Sequence, residues 1–158
     1  MSISLVRLDD RLIHGQVVVG WVQALAATHI MVVDDRVRAN EWEQEIYRLG
    51  VPAGLGVSFE SVEDAVAKVA EWLRVPERVI VLIGGVATAA RLCDRCDAIQ
   101  NLNLGGVHDG VDRHQRLHYV YLSDEEAEQL RQLSDAGVTI TAQAVPTESP
   151  VPLDRVLG

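Results

Sequence analysis

The chain has 158 residues, 48% hydrophobic and 23% charged, the size and balance of one ordinary domain able to bury a core. Its formal net charge of -9 argues against a nucleic-acid partner and against membrane attachment through basic residues, since both need positive surface. No run approaches the roughly 20 apolar residues of a membrane span, and M-S-I-S-L-V-R-L-D-D lacks the charged start and long apolar centre of a signal peptide, so a cytosolic protein is expected.

Ile3 to Leu8 is short and largely apolar, and reads as a first strand closed by Asp9 and Asp10. A connecting loop then carries His14, and a helix is expected from Gly15 to Ala26. His29 to Val33 is a continuous apolar run, the mark of a strand buried on both faces. In Ala39 to Leu49 the residues Trp42, Ile46 and Leu49 recur at helical spacing, so one face is expected to bury while Glu41, Glu43 and Glu45 stay wet. Pro52 and Gly54 break the chain before a short strand, Val57 to Glu60. Ser61 then caps a helix running to about Arg74, with Asp64 as its capping-box partner.

Arg78 to Ile83 is the strongest central strand and ends in Gly84-Gly85. A helix from about Ala87 to Asp97 follows, then a strand from Ile99 to Leu104 that ends in Gly105-Gly106. Leu117 to Leu122 reads as one more strand, antiparallel to its predecessor, because the segment after Gly106 is too short for a crossover helix. Ser123 caps a helix with an acidic start, and Val138 to Gln143 alternates like a final strand. The tail with Pro146, Pro150 and Pro152 is expected to lie extended along the body. This alternation implies a single α/β domain over residues 1–158, with a mostly parallel central sheet, helices on both faces and an antiparallel strand near the C-terminus.

Ligands of such folds sit outside the carboxyl ends of the strands, which gathers the loops Asp9 to His14, Asp34 to Arg38, Gly84 to Val86 and Gly105 to Asp109. His14 stands between Arg11 and Gly15 where strand gives way to helix, a junction suited to a histidine that carries a phosphoryl group. Its neutral imidazole is the nucleophile, and Arg11 supplies fixed charge with paired N–H donors. Asp10 is expected to orient the loop or hold the ring tautomer, and Gln16 to contact the phosphoryl group. Gly15, Gly84 and Gly85 bring backbone N–H groups within reach of a phosphate. Arg7, Arg36, Gly105, Gly106 and His108 are further candidates to line the site, an ordinary loop role being equally open for His108. No role is assigned to His29, His114 or His118, and the chemistry needs no metal or other cofactor. Cys93 and Cys96 form a C-x-x-C late in a helix with no second pair, so both are expected in the core.

The run D-D-R-L-I-H-G-Q-V resembles the phosphorylation loop of IIB components in the mannose/fructose/sorbose family of the phosphoenolpyruvate-dependent sugar phosphotransferase system. N-L-G-G-V-H at Asn103 to His108, Y-V-Y-L-S-D-E-E at Tyr119 to Glu126 and A-Q-A-V-P-T-E-S-P-V-P-L at Ala142 to Leu153 are similar to the same family, so the likeness spans nearly the whole chain. Asp109 departs from it, standing where the family carries an aromatic residue. The resemblance implies a phosphohistidine–sugar phosphotransferase in which His14 accepts a phosphoryl group, at Nδ1, from a IIA component. A hexose-type sugar entering through the IIC and IID membrane proteins then receives it. It further implies a cytoplasmic protein associated peripherally with that permease, and permits a homodimer.

Two rival folds fail on chemistry. A response-regulator receiver needs a phosphoacceptor aspartate after its third strand and a lysine after its fifth, but the third strand here ends in Glu60 and Ser61 and no lysine follows Lys68. A Rossmann nucleotide binder needs a G-x-G-x-x-G after the first strand. A regulatory or docking protein with the same His14 chemistry and no transport role stays open as an alternative function.

Overall fold

The computed structural model describes residues 2–72 and 76–158. From the N-terminus, β1 (Ser2–Leu8) leads to a π-helical segment, Gln16–Val22, that continues as one α-helical turn, α1 (Gln23–Leu25). Next come β2 (His29–Val33), α2 (Asp35–Arg38), α3 (Glu41–Leu49), β3 (Gly56–Glu60), α4 (Val62–Trp72), β4 (Arg78–Ile83) and α5 (Val86–Arg95). The remainder is β5 (Asn101–Leu104), β6 (Arg113–Leu117), β7 (Val120–Ser123), α6 (Asp124–Asp135), β8 (Thr139–Ala142), β9 (Val151–Pro152) and α7 (Leu153–Leu157). The main sheet has the order β3-β2-β4-β1-β5-β8-β9, parallel throughout except for β9 against β8.

Strand periodicity divides the core in two. Ile30, Val32, Ile80 and Leu82 pack with Leu12, Val17, Trp21 and Val37 on one face. Their alternate neighbours Met31, Val33, Val79, Val81 and Ile83 pack with residues of α4, α5, α6 and α7 on the other. Both faces are covered, which is why β2 and β4 read as unbroken apolar runs. Beyond its loop β1 feeds the helix on the first face, whereas β5 leads to α6 on the second. The connections of these two adjacent strands therefore diverge, and a crevice opens at their carboxyl ends.

The fold departs from the sequence-based expectation at its margins. Trp42, Ile46 and Leu49 are 76%, 52% and 88% exposed, so the apolar stripe of α3 faces outward rather than inward. Polar and aromatic contacts orient this helix instead: Gln44 Nε2 donates to the carbonyls of Val37 and Arg38, and Tyr47 packs on Phe59 of the edge strand β3. The helix itself begins at Glu41, capped by Asn40, because Asp34 caps a separate short helix, α2. Leu117 to Leu122 is not one strand antiparallel to β5. The chain turns at residues 118–119 between β6 and β7, an antiparallel pair outside the main sheet. The tail is extended only in part: Val145 to Glu148 form a turn, and Leu153–Leu157 wind into α7, burying Leu153 and Val156. The expected helix end at Arg74 lies outside the described residues. Cys93 and Cys96 are free and buried, and burial pushes the Cys93 thiol up to about 11.

Candidate active site

The site is built on alternate residues at the end of β1. Arg7 and Asp9 both point to the same side of the strand and both are fully buried. The Arg7 guanidinium donates to Oδ1 of Asn103, to the carbonyls of Gln143 (2.9 Å) and Ala144 (3.2 Å), and to Asp9 Oδ2 (3.3 Å), and lies 5.0 Å over the Trp21 ring. Asp9 is the hub. Its Oδ1 accepts from the backbone N (3.1 Å) and Nε (3.0 Å) of Arg11, and its Oδ2 from Arg11 Nη2 (2.9 Å) and Gly106 N (3.2 Å). His14 Nε2 lies 3.3 Å from the same Oδ2. Burial alone would raise the Asp9 carboxyl, but hydrogen bonds from His14 and Arg11 and the charges of Arg11 and Arg7 outweigh it and hold the group well below the usual carboxylate range.

The loop that carries His14 is anchored from beneath. Leu12 and Ile13 are buried in the core of the first face, so they hold the loop down and leave nothing of themselves for a partner. Leu12 adopts φ 56°, a left-handed conformation that closes the turn as its N–H donates to Asp9 O (3.0 Å). Val18 N donates to His14 O (3.0 Å) as the first bond of the helix, and helix geometry leaves the amides of Gly15, Gln16 and Val17 without intrahelical acceptors beside the ring. The His14 side chain is 17% exposed, reachable but held.

Of the two roles expected of Asp10, its contacts fit the orienting of the loop and not the holding of the ring. The carboxylate at the His14 ring is Asp9, whereas Asp10 accepts from His108, at Nδ1 (2.6 Å) and at the backbone N (2.8 Å), and its own N–H donates to Gly106 O (2.9 Å). Asp10 thus clasps the β1 loop to the β5 loop. Gly105 and Gly106 serve side chains here: a Cβ on Gly105 would sit 2.4 Å from Arg7 Nη2 and 2.6 Å from Asp9 Oδ2, and one on Gly106 3.1 Å from Arg11 Nη2. Arg11, Gln16, Gly106 and His108 line one cavity of about 580 Å³, together with Tyr119 and Glu148. Gly84 lies against Asp34 and Leu12, Gly85 caps α5 and Arg36 pairs with Glu43 on α3, and none of the three lines that cavity. Asn103 and Trp21, to which no role had been assigned, hold Arg7 in place.

An imidazole held by a buried carboxylate between two arginines, where the connections of a parallel sheet diverge, is an arrangement for handling an anionic group. Over residues 3–158 the chain matches the family described as PTS system sorbose subfamily IIB component. It is 30% identical over 149 residues to the N-acetylgalactosamine-specific phosphotransferase enzyme IIB component 1 of Escherichia coli strain K12, covering 92% of each chain. It is 29% identical over 155 residues to the PTS system mannose-specific EIIAB component of the same strain, across 94% of this chain and 46% of that protein. The crystal structure of the IIBSor domain of the sorbose permease from Klebsiella pneumoniae superposes with a TM-score of 0.90 at 30% identity, over 99% of this chain and 97% of that one. The chain belongs to the sorbose subfamily of IIB components of the sugar phosphotransferase system. Among the described residues no helix is long and apolar enough to cross a membrane.

Proposed function

We propose that the protein accepts a phosphoryl group on Nδ1 of His14 from a IIA component and passes it to a hexose-type sugar entering through IIC and IID membrane proteins at the cytoplasmic face. The observation that carries this reading is the approach of Asp9 Oδ2 to His14 Nε2 at 3.3 Å. An ionised carboxylate only accepts hydrogen bonds, so in the neutral ring Nε2 holds the proton and Nδ1 keeps the lone pair. Nδ1 attacks phosphorus, the new N–P bond forming as the donor's bond to phosphorus breaks, while Nε2–H stays on Asp9. The phosphorylated ring is then a cation beside an anion. That pairing stabilises the intermediate and preserves a neutral imidazole as leaving group, so that onward transfer returns the N–P electron pair to Nδ1.

Arg11 has the geometry to follow the charge on the phosphoryl oxygens. Two of its nitrogens are fixed on Asp9, and Nη1 has no partner among the described residues. With the first amides of the helix it offers positioned donors, and positioning with electrostatics is most of what phosphoryl transfer asks of a protein. The EIIAB relative, of which this chain covers 46%, supports a IIA partner. The test is mass spectrometry under alkaline conditions after incubation with a phosphorylated IIA protein. Phosphate is expected on the His14 peptide, and His14→Ala should take up none while keeping its circular dichroism spectrum. Labelling of that variant at the wild-type level overturns the assignment.

A further inference from the structure

Resting on the phosphotransfer just proposed, the geometry points to a second imidazole in the same reaction: we infer that His108, held by Asp10, is the general base that takes the proton from the sugar hydroxyl as it attacks phospho-His14. Consecutive carboxylates of one loop hold the two rings, Asp9 at Nε2 of His14 (3.3 Å) and Asp10 at Nδ1 of His108 (2.6 Å). The two pairings have opposite polarity. On His14 the carboxylate engages Nε2 and leaves Nδ1 for phosphorus; on His108 it engages Nδ1, so Nε2 keeps the lone pair of the neutral ring. That Nε2 has no hydrogen-bond partner among the described residues, and the side chain is 70% exposed. The Asp10–His108 pair is further fixed by its backbone: His108 N donates to Asp10, and Arg113 Nη1 donates to His108 O (2.9 Å). A base oriented by a carboxylate is the arrangement that draws protons from hydroxyl nucleophiles elsewhere. Here it borders the same cavity of about 580 Å³ as Arg11 and Gln16, with room for a hexose.

The two half-reactions differ in their need for such a base. Acceptance from a IIA component moves phosphorus onto a nitrogen lone pair and removes no proton. In discharge to sugar, the hydroxyl oxygen forms its bond to phosphorus, the Nδ1–P bond breaks with its electrons returning to His14, and the hydroxyl proton passes to His108 Nε2, to be lost to solvent. The test follows single turnovers of the 158-residue protein and of His108→Gln. One measures acceptance from phospho-IIA and back-transfer to unphosphorylated IIA. The other measures discharge to a mixture of fructose, mannose, sorbose and N-acetylgalactosamine, in vesicles carrying the IIC and IID proteins. For His108→Gln, discharge to sugar is expected to fall about a hundredfold, with both exchanges with IIA within about twofold of wild type. Asp10→Asn should show the same split, less deeply. Equal slowing of all steps makes the clasp a packing element and overturns the assignment, as does unchanged discharge. Wild-type protein that exchanges with IIA and discharges to none of the sugars removes the transport reading and the base with it. Wild type that accepts nothing on His14 removes the phosphotransfer reading itself.

Discussion

At the scale of single residues, the site turns on one buried negative charge serving three cationic or ionisable partners. Asp9 neutralises Arg7 in the interior, fixes the Arg11 guanidinium through two bonds and stands at Nε2 of the His14 ring. Removing one member of a buried charge cluster leaves the others uncompensated, at a cost of about 3–5 kcal/mol. Asp9→Asn is therefore expected to lower urea-unfolding stability by about that amount and to slow phosphoryl acceptance as well. Arg11→Ala separates the two effects. Its side chain is 35% exposed, so stability should change little, whereas acceptance and discharge should each fall about a hundredfold, because the developing charge on phosphorus loses a fixed donor. Single-turnover rates that match wild type would take Arg11 out of the chemistry.

At the scale of elements, the loops rather than the strands decide which glycines matter. Gly105 ends β5 directly above Arg7 and Asp9, where a methyl group would meet backbone-anchored side-chain atoms at 2.4–2.6 Å. Gly105→Ala should cost about 1–3 kcal/mol and disturb phosphoryl acceptance. Gly85→Ala is the matched control: its backbone is extended (φ -159°), nothing lies within 4 Å of a Cβ there, and it should leave both stability and acceptance as they are. The stripe on α3 is tested in the same way. Changing Trp42, Ile46 and Leu49 singly to Gln should move stability by no more than about 0.5 kcal/mol each, because these side chains already face water, while Tyr47→Ala should cost more. Thermal melts of the four variants decide the point.

What was legible beforehand follows from burial. His29–Val33 and Arg78–Ile83 match the expected strands residue for residue, since a strand covered on both faces must be apolar at every buried position. β6 stayed hidden because its polar sequence R-H-Q-R-L, half turned to solvent, carries no such run. At the site, His14 and Arg11 were singled out by the motif D-D-R-L-I-H-G-Q-V together with their place between strand and helix, and both stand at Asp9. The choice between Asp9 and Asp10 was not, because consecutive residues of a strand end point to opposite sides and only the observed twist of the loop says which one meets the ring. Gly84-Gly85 and Gly105-Gly106 look alike on paper. They differ because the connections diverge between β1 and β5, so the crevice opens at the second pair.

At the scale of the whole molecule, two opposing consequences of acidification can be weighed. The formal charge of -9 falls toward zero as carboxylates protonate, which relieves self-repulsion and favours the folded state until the 14 Lys and Arg and the 5 His outnumber the remaining carboxylates. Against this stand groups whose proton affinity folding has lowered. Burial depresses His29, so the unfolded chain binds a proton there first, and stability declines gently as pH falls below about 6.5. Burial opposes the ionised forms of Asp9 and Glu126 too. It is outweighed at Asp9 by His14, Arg11 and Arg7, and at Glu126 by Arg113 and the backbone of Ser123, so both are depressed. A depressed carboxyl contributes stability above its unfolded value, lost as pH falls from there toward the folded one, which places the steep part of the decline below about pH 4. Surface repulsion is spread over the molecule and screened within about 8 Å at physiological salt, whereas Asp9 interacts at contact distance in the interior, so the second effect wins. The midpoint of thermal unfolding at 0.15 M salt should accordingly be level above pH 7, slope down slightly to pH 5 and drop sharply toward pH 3, and Asp9→Asn should flatten that last drop. A midpoint that rises on acidification would mean that global repulsion, and not the buried cluster at the end of β1, governs the pH dependence of this fold.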